Sequence, residues 1–471
     1  MELDRLLSLL SNYQELRDAI VREKKTLYRE DLESYFTLCD DQYDIEKHSV
    51  YNTTKRPDKI VQNDDGSFSI AVSRIPIPYQ KKIVEMATTF LLGNPVQISA
   101  KPANDVETNM LDMMIKVWND NKLDYEGHVL AESVFRLTEC AELWYSEEAP
   151  QDYWNGTTNQ GSKTRVRYML LSRLKGDVLY PVFNSKGDMI AFGREYKLKV
   201  DGNSEEHFDI YTDKTNYLSI KNASSGVGAD WNVKEEANPF GKIPVIYYHK
   251  PFVEWHDVQP MIDRKEKSIS NHADDNDYTG SPLLLIKGKI TSFAKKGESG
   301  KVLELDNGAD ASFLQPASAP ESVKLEQENL DGMIHDMSDT PRITFEQVSG
   351  IGKLSGLALK LLFMGPHMKA AKNETIIGIG FQRRLNFLKS ALTKINVKLE
   401  PALSLSVKPV FEYFLPKDDE AYVNMLNVAT GGKPILSQKT AVELNPLVTD
   451  SEVELADITS QGLDDQQNVG L

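Results

Sequence analysis

Cysteine is nearly absent from this 471-residue sequence: only Cys39 and Cys140 occur, with no Cys-x-x-Cys pair. Two thiols so far apart build no disulfide framework, and the expectation is a reducing, cytoplasmic origin. Long apolar runs are missing too. Residues 357–364 are interrupted by Lys360 and fall well short of the roughly 20 residues that span a bilayer, so no transmembrane segment and no membrane partner is expected. The first ten residues carry Glu2 and Asp4 where a secretory signal has basic residues, and they lack a small-residue cleavage site. Basic charge is the minority sign, with 54 Lys and Arg against 70 Asp and Glu and a formal net charge of −16. Such a surface repels phosphate on average, which excludes tight, sequence-independent DNA binding and leaves only local or weak contacts.

The signatures of common chemistries are missing as well. A nucleotide-binding Gly-x-x-x-x-Gly-Lys-Ser/Thr loop is absent: Gly300-Lys301, Gly352-Lys353 and Gly432-Lys433 each lack the upstream Gly and the following hydroxyl residue. The histidines are scattered without a His-Glu-x-x-His pair, and His249, His256 and His272 read as surface or packing residues. Asp274-Asp275-Asn276-Asp277 lacks the Gly and Glu that a calcium loop needs at its sixth and twelfth positions, and reads as a solvated acidic helix end. No metal, no cofactor and no catalytic residue is expected.

What is present is a chain long enough for about three domains, with 40% hydrophobic and 26% charged residues, the balance of a globular protein. Apolar residues Leu3, Leu6, Leu7, Leu10, Tyr13, Leu16 and Ile20 recur at helical spacing, and another helix is predicted over 79–92, ended by Gly93-Asn94-Pro95. The Asp65-Gly66 pair between two short apolar runs predicts a short hairpin or a surface loop. Helices over 105–121 and 125–137 precede strands near 143–145, 166–171, 178–183, 189–196, 207–211 and 243–248, giving an α+β fold. The tryptophans read as core or interface anchors.

Residues 257–278 then form a predicted helix that is polar nearly all round, with Pro260 in its first turn. A helix of that kind has too little apolar surface to be held by burial, so the expectation is that it bridges domains or packs against copies of itself. A small β-rich insert over 280–320 separates it from a second helix over 321–338, on which Leu330, Met333, Ile334 and Met337 share a face. Residues 339–353, with Pro341, Gly350 and Gly352, read as a loop. From Ser355 a helical stripe of Ile377, Phe381, Leu385, Leu388, Leu392 and Ile395 follows, with a kink or break predicted at Pro366. The tail offers short helices over 418–428 and 437–444, and residues 464–468 are expected to fray.

Three stretches in order resemble the portal proteins of long-tailed bacteriophages: Phe90-Leu91-Leu92-Gly93-Asn94-Pro95-Val96, Gly241-Lys242-Ile243-Pro244-Val245-Ile246, and Ser355-Gly356-Leu357-Ala358-Leu359-Lys360. The resemblance covers residues 32–414. It implies a portal fold: a helical and β wing (1–256), stem helix 1 (257–279), a clip (280–320), stem helix 2 (321–338), a tunnel loop (339–354), a long kinked helix with the rest of the wing (355–414), and a helical crown and tail (415–471). Where portals of this type carry a small Gly-containing turn, this chain has Thr138-Glu139-Cys140-Ala141-Glu142.

The function so implied is a ring, dodecameric in the family, at the virion's capsid vertex, assembled in the host cytoplasm. Double-stranded DNA would pass through it during packaging and ejection, and the terminase, head-completion or adaptor proteins and the major capsid protein would be its partners. Candidate channel-lining residues are Asp263, Lys267, Asp274 and Asp277 of the first stem helix. Arg342, Gln347, Val348, Ser349, Gly350, Gly352 and Lys353 would face DNA from the tunnel loop. Lys287, Lys289, Lys295 and Lys296 make the insert locally basic, either as a solvated hairpin tip or as the docking face for an acidic patch on the terminase or an adaptor. The alternatives are an α+β enzyme acting on nucleic acid and a capsid scaffold or adaptor.

Overall fold

The computed structural model describes residues 13–27, 32–63, 66–157, 162–200, 202–221, 231–279, 283–288, 290–292, 304–305, 308, 310–314, 320–342, 361–414, 419–431, 435–445, 447–448 and 450–468. The chain divides into two compact units, Met1–Arg342 with Gly365–Tyr413, and Ile343–Met364 with Phe414–Leu471.

The first unit opens with α1 (Tyr13–Leu27) and α2 (Leu32–Tyr43), then a hairpin of β1 (Lys59–Asn63) and β2 (Gly66–Ile70) around the Asp-Gly pair. Next come α3 (Tyr79–Leu92), β3 (Gln97–Ala100), α4 (Asp105–Asp120) and α5 (Leu123–Leu137). Gly93 caps α3 in the ordinary right-handed conformation at φ −62°, so its freedom at positive φ goes unused there. Left-handed backbone instead falls on Lys122 at φ 52° and on Thr138 at φ 64°, on either side of α5. A β-branched residue thus takes the left-handed conformation at the turn where the sequence departs from the Gly-containing pattern that the resemblance implies.

Strands follow: β4 (Glu139–Glu148), β5 (Thr164–Leu171), β6 (Val178–Phe183), β7 (Met189–Val200), β8 (Asn203–Tyr211), β9 (Thr215–Lys221), β10 (Trp231–Ala237) and β11 (Val245–His249). They form an antiparallel five-stranded meander, β10-β9-β8-β7-β6, and a three-stranded sheet, β11-β4-β5. Strand alternation explains the layering. On one side of the meander Ala191 and Phe208 pack under Leu16 and Ile20 of α1; on the other Phe192 and Tyr211 meet Ala141, Leu143 and Tyr247 of the smaller sheet. Gly193 keeps the first layer tight, since a Cβ there would stand 3.2 Å from Ile20, Phe208 and Tyr180 side-chain atoms. Strands β9 and β10 had no counterpart in the sequence reading.

The unit continues with α6 (Gln259–Thr279), the strand pairs of β12 (Leu283–Lys287) with β15 (Asp310–Leu314) and of β13 (Ile290–Ser292) with β14 (Glu304–Leu305), then α7 (Pro320–Met337), α8 (Met364–Ile395) and β16 (Val407–Val410). Helix α8 buries Ile377, Phe381, Leu385, Leu388 and Leu392, the stripe read from the sequence. Pro366 lies in its first turn, where a missing N–H costs no helical hydrogen bond. The 355–360 stretch that carries the family resemblance lies outside the described residues. Gly380 lets α8 press directly on β11: a Cβ there would sit 1.9 Å from the Tyr248 ring.

The second unit contains α9 (Asp419–Thr430), α10 (Gln438–Leu444) and α11 (Ser451–Asn468). Ser437 starts α10 by accepting the Thr440 amide at 3.1 Å. Residues 464–468, expected to fray, continue α11.

Candidate functional site

Helix α6 is the polar helix of the sequence reading, and within the chain it is supported by hydrogen bonds on two sides. Residues 48–77 form a strap along it. The His48 ring donates to Glu266 at 2.6 Å, and the Ile77 amide donates to the same carboxylate oxygen at 2.8 Å. The Ile75 amide meets Ser270 Oγ at 3.0 Å, and the Ser73 amide meets Asp274 at 2.7 Å. Arg56 closes the strap by donating to Asn271 at 2.6 Å and Asp274 at 2.8 Å. Strap backbone groups that no sheet satisfies thus find acceptors on one face of α6, so Glu266 and Ser270 are fully buried although polar. The apolar share is small, with Ile262 fully buried near the helix start.

The opposite face of α6 meets α7. Arg264 donates to Glu326 at 2.8 Å, Ser268 donates to the same carboxylate at 3.1 Å, and Lys265 donates to Asp331 at 2.6 Å. Asp331 also accepts Tyr79 Oη of α3 and the Arg342 guanidinium. Burial pushes the Asp331 carboxyl up, but Lys265, Tyr79 and Arg342 outweigh it and hold it down at about 2. A second knot ties the base of α6 to α8. Glu254, almost fully buried, takes Lys369 at 3.0 Å and Asn373 at 2.8 Å, and also Lys250. Burial raises its pKa, and Lys369 and Lys250 then bring it down to about 2. Lys369 further donates to the Ser338 carbonyl at 2.8 Å, joining α8 to the end of α7.

The candidate site residues divide accordingly. Lys267 is exposed, on the face of α6 between the strap and α7, together with Asp275 and Tyr278, and this face is bordered by Asn271, bonded to Arg56 of the strap, and Arg264, bonded to Glu326 of α7. Asp263 is half-buried, accepting Ser49 at 2.9 Å and Gln259 at 3.1 Å. Asp274 is committed to the strap, and Asp277 is exposed with Ser73 Oγ at 3.5 Å. Arg342 is half-exposed but paired with Asp331. Lys287 is exposed on β12 in register with Asp310. Gln347, Val348, Ser349, Gly350, Gly352, Lys353, Lys289, Lys295 and Lys296 lie outside the described residues.

Sequence reasoning missed the buried ions. Arg384 and Glu142, both fully buried, pair at 2.6 Å, with Trp144 Nε1 donating to Glu142 at 3.0 Å and Tyr248 Oη donating as well. Burial disfavours the guanidinium, yet Glu142 and Tyr248 leave its pKa raised overall. Glu139 gathers Lys24 at 3.0 Å, Arg173 at 3.1 Å and Tyr247 at 2.8 Å. The one signal available was the pair of glutamates inside the apolar run 137–144, which needs cations from elsewhere in the chain.

An open depression of about 610 Å³ is lined by Asp112, Lys116, Asn119, Asp120, Asp152 and Tyr153, among others. Its Asp120 is already engaged by Arg167 at 3.0 Å and Tyr153 at 3.2 Å. Among the described residues no group of three or more His, Cys, Asp or Glu side chains is placed to hold a metal ion, and no helix is long and apolar enough to cross a membrane.

No curated protein matches the chain. Among solved structures it is similar to one titled "Neck of empty GTA particle computed with C6 symmetry", at 13% identity and a TM-score of 0.36, over 78% of this chain and 89% of that one. The family model for phage portal protein, SPP1 Gp6-like, matches residues 26–468, and the chain therefore belongs to that family of phage portal proteins.

Proposed function

We propose that this chain is one subunit of a homo-oligomeric ring at the virion's capsid vertex, through which double-stranded DNA is packaged and ejected. The observation that carries the reading is the family match over residues 26–468, nearly the whole length. Helices α6 and α7 act as the stem, the 280–320 insert as the clip, residues 339–354 as the tunnel loop, and the segments around them as wing and crown. The ring is dodecameric. Terminase dwells on the clip during packaging and head-completion or adaptor proteins take its place afterwards, with Lys287, Lys289, Lys295 and Lys296 meeting their acidic surfaces. The wing meets the major capsid protein. Assembly takes place in the host cytoplasm.

The uncovered face of α6 supports a sliding mechanism. Lys267, Asp275 and Tyr278 lie there, bordered by Asn271 and by Arg264 in its pair with Glu326, so cations and anions are interspersed. Phosphate passing such a lining meets brief attractions separated by repulsions, and no site holds it long. Asp263 and Asp274 contribute charge from behind this face, since their oxygens are occupied by the strap. Arg342 supports the base of the tunnel loop through Asp331, and Gln347, Val348, Ser349, Gly350, Gly352 and Lys353 supply the loop's transient contacts.

The deciding experiment is the mass of the purified protein by light scattering, with negative-stain imaging at moderate salt. Rings with an axial hole are the expected result; a monomer at every concentration would count against a portal. Deleting residues 347–352 is then expected to impair DNA packaging and leave rings intact, and loss of rings would assign the loop a structural role instead.

A further inference from the structure

The strap and α7 grip α6 from opposite sides. On a helix of 3.6 residues per turn, the strap's partners Asp263, Glu266, Ser270 and Asp274 fall along one side, and α7's partners Arg264, Lys265 and Ser268 fall on the other. The three elements therefore form a slab with two outer flanks, and both flanks carry exposed apolar side chains. On the strap flank Ile60 is 74%, Phe68 48% and Ile75 37% exposed. On the α7 flank Leu325 is 58% exposed, on the side of α7 away from Leu330 and Ile334, which are buried, and Met333, beside Leu330 on the helix, is 43% exposed.

The β1–β2 hairpin sharpens the point. Among the described residues its strands pair only with each other, and a lone two-stranded ribbon is marginal in water without a surface beneath it. Charge divides between the flanks as well. Lys55 and Lys59 are exposed on the strap side, and Glu321, Glu328 and Asp336 are exposed on α7, where Lys324 stands 3.8 Å from Glu328 and the acidic side chains outnumber it. A closed ring needs two different, mutually complementary faces on opposite sides of each subunit.

We propose that the strap-and-hairpin flank of one copy docks on the outer flank of α7 in the next copy, as the subunit contact around the stem. The levels along the slab agree. Ile75 bonds α6 at Ser270 while Leu325 precedes Glu326, which bonds α6 at Ser268. Lys59 follows the strap segment anchored at Asp274, toward the end of α6 where the first turn of α7 carries Glu321. This proposal rests on the ring reading and names the surfaces that make the ring.

The test uses the full chain with Ile75→Cys and Leu325→Cys, treated with a short bis-maleimide after assembly; Cys39 and Cys140 are buried and serve as the silent background. A ladder of covalent oligomers up to ring size is expected from the double variant and from neither single one. An independent arm uses charge. Lys59→Glu is expected to raise the protein concentration needed for rings by about tenfold, and adding Glu321→Lys is expected to restore it. Rings that image normally, show no ladder and ignore the charge swap would overturn the interface while leaving the portal reading in place. A wild-type chain that never forms rings would overturn both.

Discussion

Helices α6 and α8 belong to the same unit and are held by opposite means. Helix α8 is fixed by an apolar stripe, with a fully buried ion pair at its centre and a glycine pressed against an aromatic ring. Helix α6 is fixed along most of its length by side-chain acceptors that take backbone amides from the strap. Hydrophobic burial is non-directional and strong, whereas hydrogen bonds exchanged with water give a small net gain per bond and a precise register. The contrast fits the proposed ring, in which α8 would anchor the wing and α6 would keep a polar face toward the channel without becoming sticky to phosphate.

If that contrast is right, substitutions in α8 unfold the unit and substitutions along α6 loosen only the strap. The largest loss is expected from Arg384→Ala, which strands Glu142 in the core and costs about 3–5 kcal/mol; thermal unfolding of the monomer reads it, and Glu142→Leu with Arg384→Met is expected to recover most of the stability. Gly380→Ala is expected next, at about 1–3 kcal/mol, because Tyr248 must leave its place against Glu142. A melting temperature unchanged by Gly380→Ala would mean that α8 does not press on β11 as described.

The charge knot between the two helices has its own pH signature. Glu254 titrates at about 2 in the folded chain against an ordinary 4.5, so its ionised form is favoured by folding. That contribution is complete above pH 4.5 and is lost as pH falls toward 2. Glu254→Gln is expected to be less stable at neutral pH, because Lys250 and Lys369 lose their buried partner, and to lose less further stability on acidification. Parallel melting curves of wild type and variant across that window would remove Glu254 from the account.

The same contrast explains what the sequence made legible. The stripe of α8 could be read because apolar period is a local property, and the hairpin because Asp65-Gly66 is a local turn signal. Strands β9 and β10 escaped because exposed residues, such as Lys221 at the end of β9 and Lys234 and Glu235 on the edge strand β10, dilute the alternation. The support of α6 escaped for a different reason. Its partners His48, Arg56, Ser73, Ile75 and Ile77 lie some 190 to 220 residues earlier, and three of them act through backbone amides that carry no side-chain signature. The polar composition of α6 was legible and the inference from it was incomplete, because acceptors for a neighbouring strap can hold a helix as well as burial can. The candidate site divided the same way: Lys267 and Lys287 stand exposed as their charge suggested, while Asp263, Asp274 and Arg342 were already spoken for by groups distant in sequence.

The smallest expected effect separates the two modes of support most cleanly. Asp274→Asn weakens the acceptor for the Ser73 amide and removes the ionic partner of Arg56, at the half-buried end of the strap. The expected cost is about 1 kcal/mol, because a partly solvated pair is screened and Asn still offers a carbonyl oxygen. Global melting should barely register it. Amide exchange should: the Ser73 amide is expected to exchange several-fold faster, with the Ile77 amide, held by Glu266 two turns away, unchanged. Were Ser73 and Ile77 to speed up together and by the same factor, the strap would open as one cooperative unit. The bonds along α6 would then act as a single latch, and Asp274 would matter to the channel face by holding that latch as well as by its charge.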